Sequence, residues 1–102
     1  MAETNLDIYE VIWRNKFIEK LADKHKVTTD EVEEVLFGSP FIRFWEKGKT
    51  AGEDLYLAYG QTDAGRYLVV FFIRKPRNMA LPISARDMTS SERRYYHGQK
   101  AR

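Results

Sequence analysis

At 102 residues, 43% apolar and 14% aromatic, the chain can fill one core but not two, and global disorder is excluded. It holds no cysteine, which excludes a disulfide framework, a thiol nucleophile and a cysteine zinc site. Net charge is only +2, yet residues 1–65 carry 8 Lys and Arg against 13 Asp and Glu, whereas residues 66–102 carry 9 against 2. This asymmetry points to an anionic partner of the carboxyl-terminal part, such as nucleic acid, or to two halves that attract each other within one domain. Composition does not separate the two. The acidic start, "MAETNLDIYE", lacks the basic and apolar regions of a secretory signal, and the longest apolar run, Tyr67 to Ile73, is too short to cross a bilayer. A soluble cytoplasmic protein of one domain, residues 1–102, is expected.

The chain opens with "IYEVIW", Ile8 to Trp13, whose imperfect alternation predicts a short strand. Asn15 to His25 follows as a helix with Phe17, Ile18, Leu21 and Ala22 on one apolar face. "TTDEVEEVLFGSP" is a stronger signal. Thr28 and Glu31 are spaced as a capping box, Val32, Val35 and Leu36 recur at helical spacing, Gly38 suits a left-handed cap, and Pro40 blocks continuation. Phe41 to Trp45 and Leu55 to Gln61 read as strands, and "TDAGR" supplies a turn with Gly65 free to take positive φ. "YLVVFFI" has no polar alternation and is expected in the middle of the sheet, buried on both faces. After the turn "RKPRN", Met79 to Ser84 is a strand in which Pro82 implies an edge or a bulge. A last helix starts at Thr89, with Glu92 completing a second capping box, and is expected to end near His97 before Gly98. The order β-α-α-β-β-β-β-α predicts an α+β fold with a mainly antiparallel sheet covered by helices.

No glycine-rich phosphate loop, HExxH, GxSxG or close carboxylate pair is present, so no cofactor and no metal are expected. Asp30, Glu31, Glu33 and Glu34 read as a solvated helix face. The basic residues say more. Arg66 and Arg74 bracket the central strand, Arg77 lies in the next turn, Arg86 precedes the last helix, and Arg93 and Arg94 lie on it. In a consecutive meander Arg66 and Arg74 fall at opposite ends, so Arg74, Arg77, Arg86 and Arg93 are expected to cluster. Guanidinium groups bind phosphate bidentately and stabilise charge on a transferring phosphoryl group. Tyr95, Tyr96 and His97 could stack bases or move protons. The alternative is a packing tyrosine beside solvated arginines, and residue type alone leaves both open. His25 ends a helix, where carbonyl dipoles favour imidazolium, and it could also act as an acid or base. Trp13 and Trp45 read as core or sheet-face aromatics.

An early Trp13, "KHKV" (Lys24 to Val27), "EVEEVLFGSP" before a strand, "GRYLVVFF" (Gly65 to Phe72) and "ISARDMTSSERRYY" (Ile83 to Tyr96) occur in that order. With these pieces the chain resembles the BrnT-type toxins, small RelE-like ribonucleases of bacterial toxin–antitoxin pairs. It departs at Lys26, where that family usually has Gly, and at Leu81-Pro82, where Arg-Ile is common. The resemblance implies a RelE-like fold, metal-independent RNA cleavage in translation inhibition, and a cognate antitoxin partner. It implies Arg86 for charge stabilisation, Tyr96 or His25 for proton transfer, and Arg93 for phosphate positioning. Arg66 matches a family position, and with Arg74, Arg77, Arg94 and Tyr95 it completes the expected RNA-binding set. The other function class is a non-catalytic RNA- or antitoxin-binding module of the same fold, which would bind RNA in a salt-dependent manner without cutting it.

Overall fold

The computed structural model describes residues 7–101; the acidic start, Met1 to Leu6, and Arg102 lie outside them. The elements are β1 (Glu10–Val11), α1 (Asn15–Lys20) running into a π-helical turn (Leu21–His25), α2 (Thr29–Phe37), β2 (Phe41–Glu46), β3 (Leu55–Gln61), β4 (Tyr67–Lys75), a 3-10 turn (Pro76–Asn78), β5 (Met79–Asp87) and α3 (Ser90–Lys100). They form the expected α+β fold around one five-stranded sheet, ordered β1-β5-β4-β3-β2. The sheet is mixed: β2 to β5 form an antiparallel meander, and β1 joins β5 in parallel. The strand expected over Ile8 to Trp13 is reduced to two paired residues, because β5 meets it only at Met79 and Ala80. No helix among the described residues is long and apolar enough to cross a membrane.

The unbroken apolar run of β4 follows from its place in the middle. Leu68, Val70 and Phe72 face Val32, Val35 and Leu36 of α2 together with Leu21 and Val27. Val69, on the opposite face, packs with Phe41, Tyr59, Met88 and Tyr96, the last from α3. Each fully buried aliphatic or Phe side chain contributes about 1.5–3 kcal/mol. The sheet thus buries a larger core on the α2 face than on the α3 face.

Both capping boxes form: Thr28 Oγ1 accepts from Glu31 N at 3.1 Å, and Thr89 Oγ1 from Glu92 N at 3.2 Å. Three local expectations need correction. Gly38 is not left-handed (φ −99°); Ser39 takes that conformation at φ 62°. Glycine is needed at 38 because a Cβ there would lie 2.5 Å from the Glu34 carbonyl oxygen. Gly98 does not end α3, which continues to Lys100, whose ammonium donates to the Ser39 carbonyl at 2.9 Å. The acidic face of α2 is only partly free. Glu33 accepts from Trp13 Nε1 at 2.7 Å, Glu34 from Asp63 N at 2.9 Å, and Glu31 binds Arg66. Pro82 sits at a bulge as anticipated: Phe71 pairs with Ser84 and Phe72 with Pro82, which leaves Ile83 extra.

Candidate nucleic-acid interface

At the end of the sheet where β4 begins and β5 ends, Arg66 is locked in place. Its Nε and one terminal nitrogen hold the Asp87 carboxylate at 2.8 and 3.2 Å, and that nitrogen also donates to the His25 carbonyl at 3.1 Å. The other donates to the Lys26 carbonyl at 2.9 Å and to Glu31 at 3.1 Å. These contacts use every N–H of the guanidinium. They tie β4 and β5 to the exit of the π-helical turn, where Lys26 is left-handed at φ 55°. Hydrogen bonding from Arg66 holds the Asp87 carboxyl below the usual carboxylate range. Arg66, expected to bind RNA, thus has its donors engaged within the protein as a clamp, and His25 contributes its carbonyl to that clamp.

Across the sheet, α3 lies over Val69, Tyr59 and Phe41. Arg86 grips Glu92 with two terminal nitrogens at 2.7 and 2.8 Å and donates to the Asp87 carbonyl at 3.1 Å. Its Nε–H and one terminal N–H have no partner among the described residues. Glu92 closes the capping box as well, and bonding from Arg86 is the main reason its carboxyl sits below the usual range. The Arg86 guanidinium rests 5.5 Å from the Phe71 ring centroid. Tyr96, the expected proton carrier, is 7% exposed beneath the helix, and burial pushes its phenol above the ordinary value. Tyr95 packs edge-on to Phe41 and Tyr59, with the Arg43 guanidinium 5.4 Å from its centroid.

The outer flank of α3 carries a group the sequence reading did not assemble. Tyr67 Oη and His97 Nε2 share a hydrogen bond of 2.8 Å, and the Arg93 guanidinium stands 4.2 Å from the Tyr67 ring centroid. Arg93 and His97 are four residues apart, hence on one stripe of the helix. That spacing was a readable signal; Tyr67 was not, because its place under the stripe depends on where α3 crosses the sheet. Arg43 was also missed, although the alternation in "FIRFW" sets Phe41, Arg43 and Trp45 on one face.

Arg74 and Arg77 lie far away. Arg74 pairs with Ala80 near the β4–β5 turn and donates to Asn78 Oδ1 at 3.0 Å, while Arg77 is in the turn itself at φ 66°. Arg86 pairs with Val69, five residues back along β4, about 16 Å away. The expected cluster of Arg74, Arg77, Arg86 and Arg93 is thus split between the two ends of one hairpin. Arg94 is exposed and donates to Ser91 Oγ of its own helix at 3.3 Å.

Among the described residues, no three His, Cys, Asp or Glu side chains gather as a metal site. No curated protein gives a significant match. A family model described as the ribonuclease toxin BrnT of type II toxin–antitoxin systems matches residues 13–92. The match contains the Arg66 clamp and the Arg86–Glu92 pair, and it stops short of Arg93 and His97. Spanning most of the chain, it places this protein in the BrnT family of ribonuclease toxins, whose type II systems pair each toxin with a protein antitoxin.

Proposed function

We propose that the protein is a metal-independent endoribonuclease that inhibits translation in the cytoplasm, with its reacting groups on the outer flank of α3. The observation that carries this reading is the 2.8 Å Tyr67–His97 hydrogen bond beside the Arg93 guanidinium. His97 is exposed, Tyr67 is half-buried, and both can exchange protons with a bound ribose phosphate. The imidazole takes the proton of a ribose 2′-OH as its oxygen attacks phosphorus. The P–O5′ bond breaks, O5′ leaves with a proton supplied by the Tyr67–His97 pair, and a 2′,3′-cyclic phosphate remains. Arg93 stabilises the negative charge on the non-bridging oxygens, a role for which a guanidinium is well shaped. Arg86 orders the first turn of α3 through Glu92 and offers its two unpaired N–H groups to the RNA backbone. Proton transfer falls to Tyr67 and His97 in preference to Tyr96, which is covered, and His25, whose turn is anchored by Leu21 and Val27 in the core on the α2 face. The antitoxin neutralises by covering this basic face.

The test is cleavage of labelled single-stranded RNA in EDTA by the wild type, His97→Ala and Tyr67→Phe, with folding checked by circular dichroism. Tyr67→Phe keeps the ring under Arg93 and removes only the hydroxyl. Each folded variant should lose about 10²–10⁴-fold in rate. Unchanged cleavage in both would remove the pair from the chemistry, and a wild type that cuts only with divalent ions would refute metal independence.

A further inference from the structure

The half of the sheet face that α3 leaves uncovered carries a groove of ≈ 520 Å³, lined by Phe17, Lys20, Trp45, Phe71, Ile83 and Arg86. Its walls are shaped by two bulges. In β2, Phe44 pairs with Tyr56 and Glu46 with Leu55, so Trp45 is the unpaired extra residue; in β5 the extra residue is Ile83. A bulge re-aims the side chain it carries, and here both bulged side chains border the same hollow. Trp45 is 47% exposed, with its ring 5.2 Å from that of Phe71 at an interplanar angle of 69°. Arg86 lies over the other ring of this pair, Lys20 lines the rim, and Arg43 shares the strand face with Trp45 two residues away. No carboxylate lines the groove.

We propose that this groove is a nucleobase subsite, in which one unpaired base of single-stranded RNA stacks on Trp45 while Lys20, Arg43 and Arg86 hold the flanking phosphates. Flat aromatic surface interleaved with cations is the chemistry that recognises unpaired nucleic acid. The hollow has the volume of a small-molecule site, whereas an amphipathic helix needs an apolar trough several turns long. Phe71 lies about 13 Å along β4 from Tyr67, so one strand of RNA can occupy both the subsite and the reacting pair. The inference rests on the ribonuclease reading above and assigns its substrate contacts.

The experiment uses a short 2′-O-methyl RNA, which cannot be cut, and intrinsic fluorescence. Trp13, bonded to Glu33 and packed on the opposite face, is the internal control. Saturable quenching is expected in the wild type and should vanish in Trp45→Phe, which retains only Trp13. Trp45→Ala should weaken binding about tenfold and raise KM for cleavable RNA by a similar factor with kcat unchanged, whereas Trp45→Phe should restore both. Normal binding and KM in Trp45→Ala, with cleavage intact, would overturn the subsite and leave the ribonuclease reading standing. Trp45-dependent binding without any cleavage by the wild type would support the subsite and overturn the ribonuclease. Quenching by a protein partner but not by RNA would also overturn the subsite.

Discussion

Arg66 and Arg86 show how far residue identity alone can mislead. Both are arginines at one end of adjacent strands, yet one has every donor engaged and the other retains two. The difference comes from partners brought in by the fold, Glu31 and the Lys26 carbonyl among them, thirty-five and forty residues away in sequence. Sequence spacing does not carry that information. The same pairs make a pH prediction. Asp87 and Glu92 both have folded-state values below their ordinary 3.8 and 4.5, each because of the guanidinium bonded to it. A depressed carboxyl contributes stability that is complete above its unfolded value and is lost as pH falls through its folded one. The urea midpoint should therefore hold from pH 7 to about pH 5 and drop below pH 4.5. Glu92→Gln should lower stability at pH 7 by about 1 kcal/mol, since it weakens the capping box and the ion pair together. That deficit should shrink at pH 3; a constant deficit across pH would show that charge has no part in it.

At the level of elements, the legible features were those with a local cause. Two capping boxes, the Gly65 turn at φ 95° and the buried central strand each follow from a few adjacent residues. The less legible ones had two local solutions. Glycine at 98 is a common helix terminator, but it is also tolerated inside a helix, and the Lys100 bond to Ser39 rewards three further residues. The exit of the π-helical turn is a second case. There the Val27 N–H reaches back to the Leu21 carbonyl at 3.2 Å, which requires Lys26 to be left-handed. A side chain in that conformation costs roughly 1–2 kcal/mol, a cost that glycine avoids. Two opposite substitutions should thus both stabilise. Gly98→Ala places a methyl where nothing lies within 4 Å and should add about 0.5–1 kcal/mol. Lys26→Gly relieves the left-handed side chain and should add a similar amount, reduced by the flexibility that glycine gives the unfolded chain. Urea denaturation of both variants and their combination checks this, and the effects should add because the sites share no partner.

For the molecule as a whole, both readings of the charge asymmetry hold in part. The halves do attract, through Arg66 and Glu31 and through Lys75 and Glu53. After those pairings the cations split by face, and Arg43, Arg93, Lys20 and the free edge of Arg86 remain around α3 and the open groove. If these four meet phosphates of a single strand, log K should fall against log salt with a slope of about −2.8, at roughly 0.7 per neutralised phosphate. Raising salt from 50 to 200 mM should then weaken binding of a 2′-O-methyl RNA about 50-fold. Arg93→Ala should reduce the slope by about 0.7. Arg74→Ala, at the far end of the hairpin, should leave the slope unchanged, although composition alone counts both arginines in the same basic half. Equal losses from the two substitutions would mean that RNA is drawn by the net charge of the carboxyl-terminal half and that the face around α3 has no special part in it. A slope that depends on Arg93 and ignores Arg74 would tie affinity to the geometry of that face.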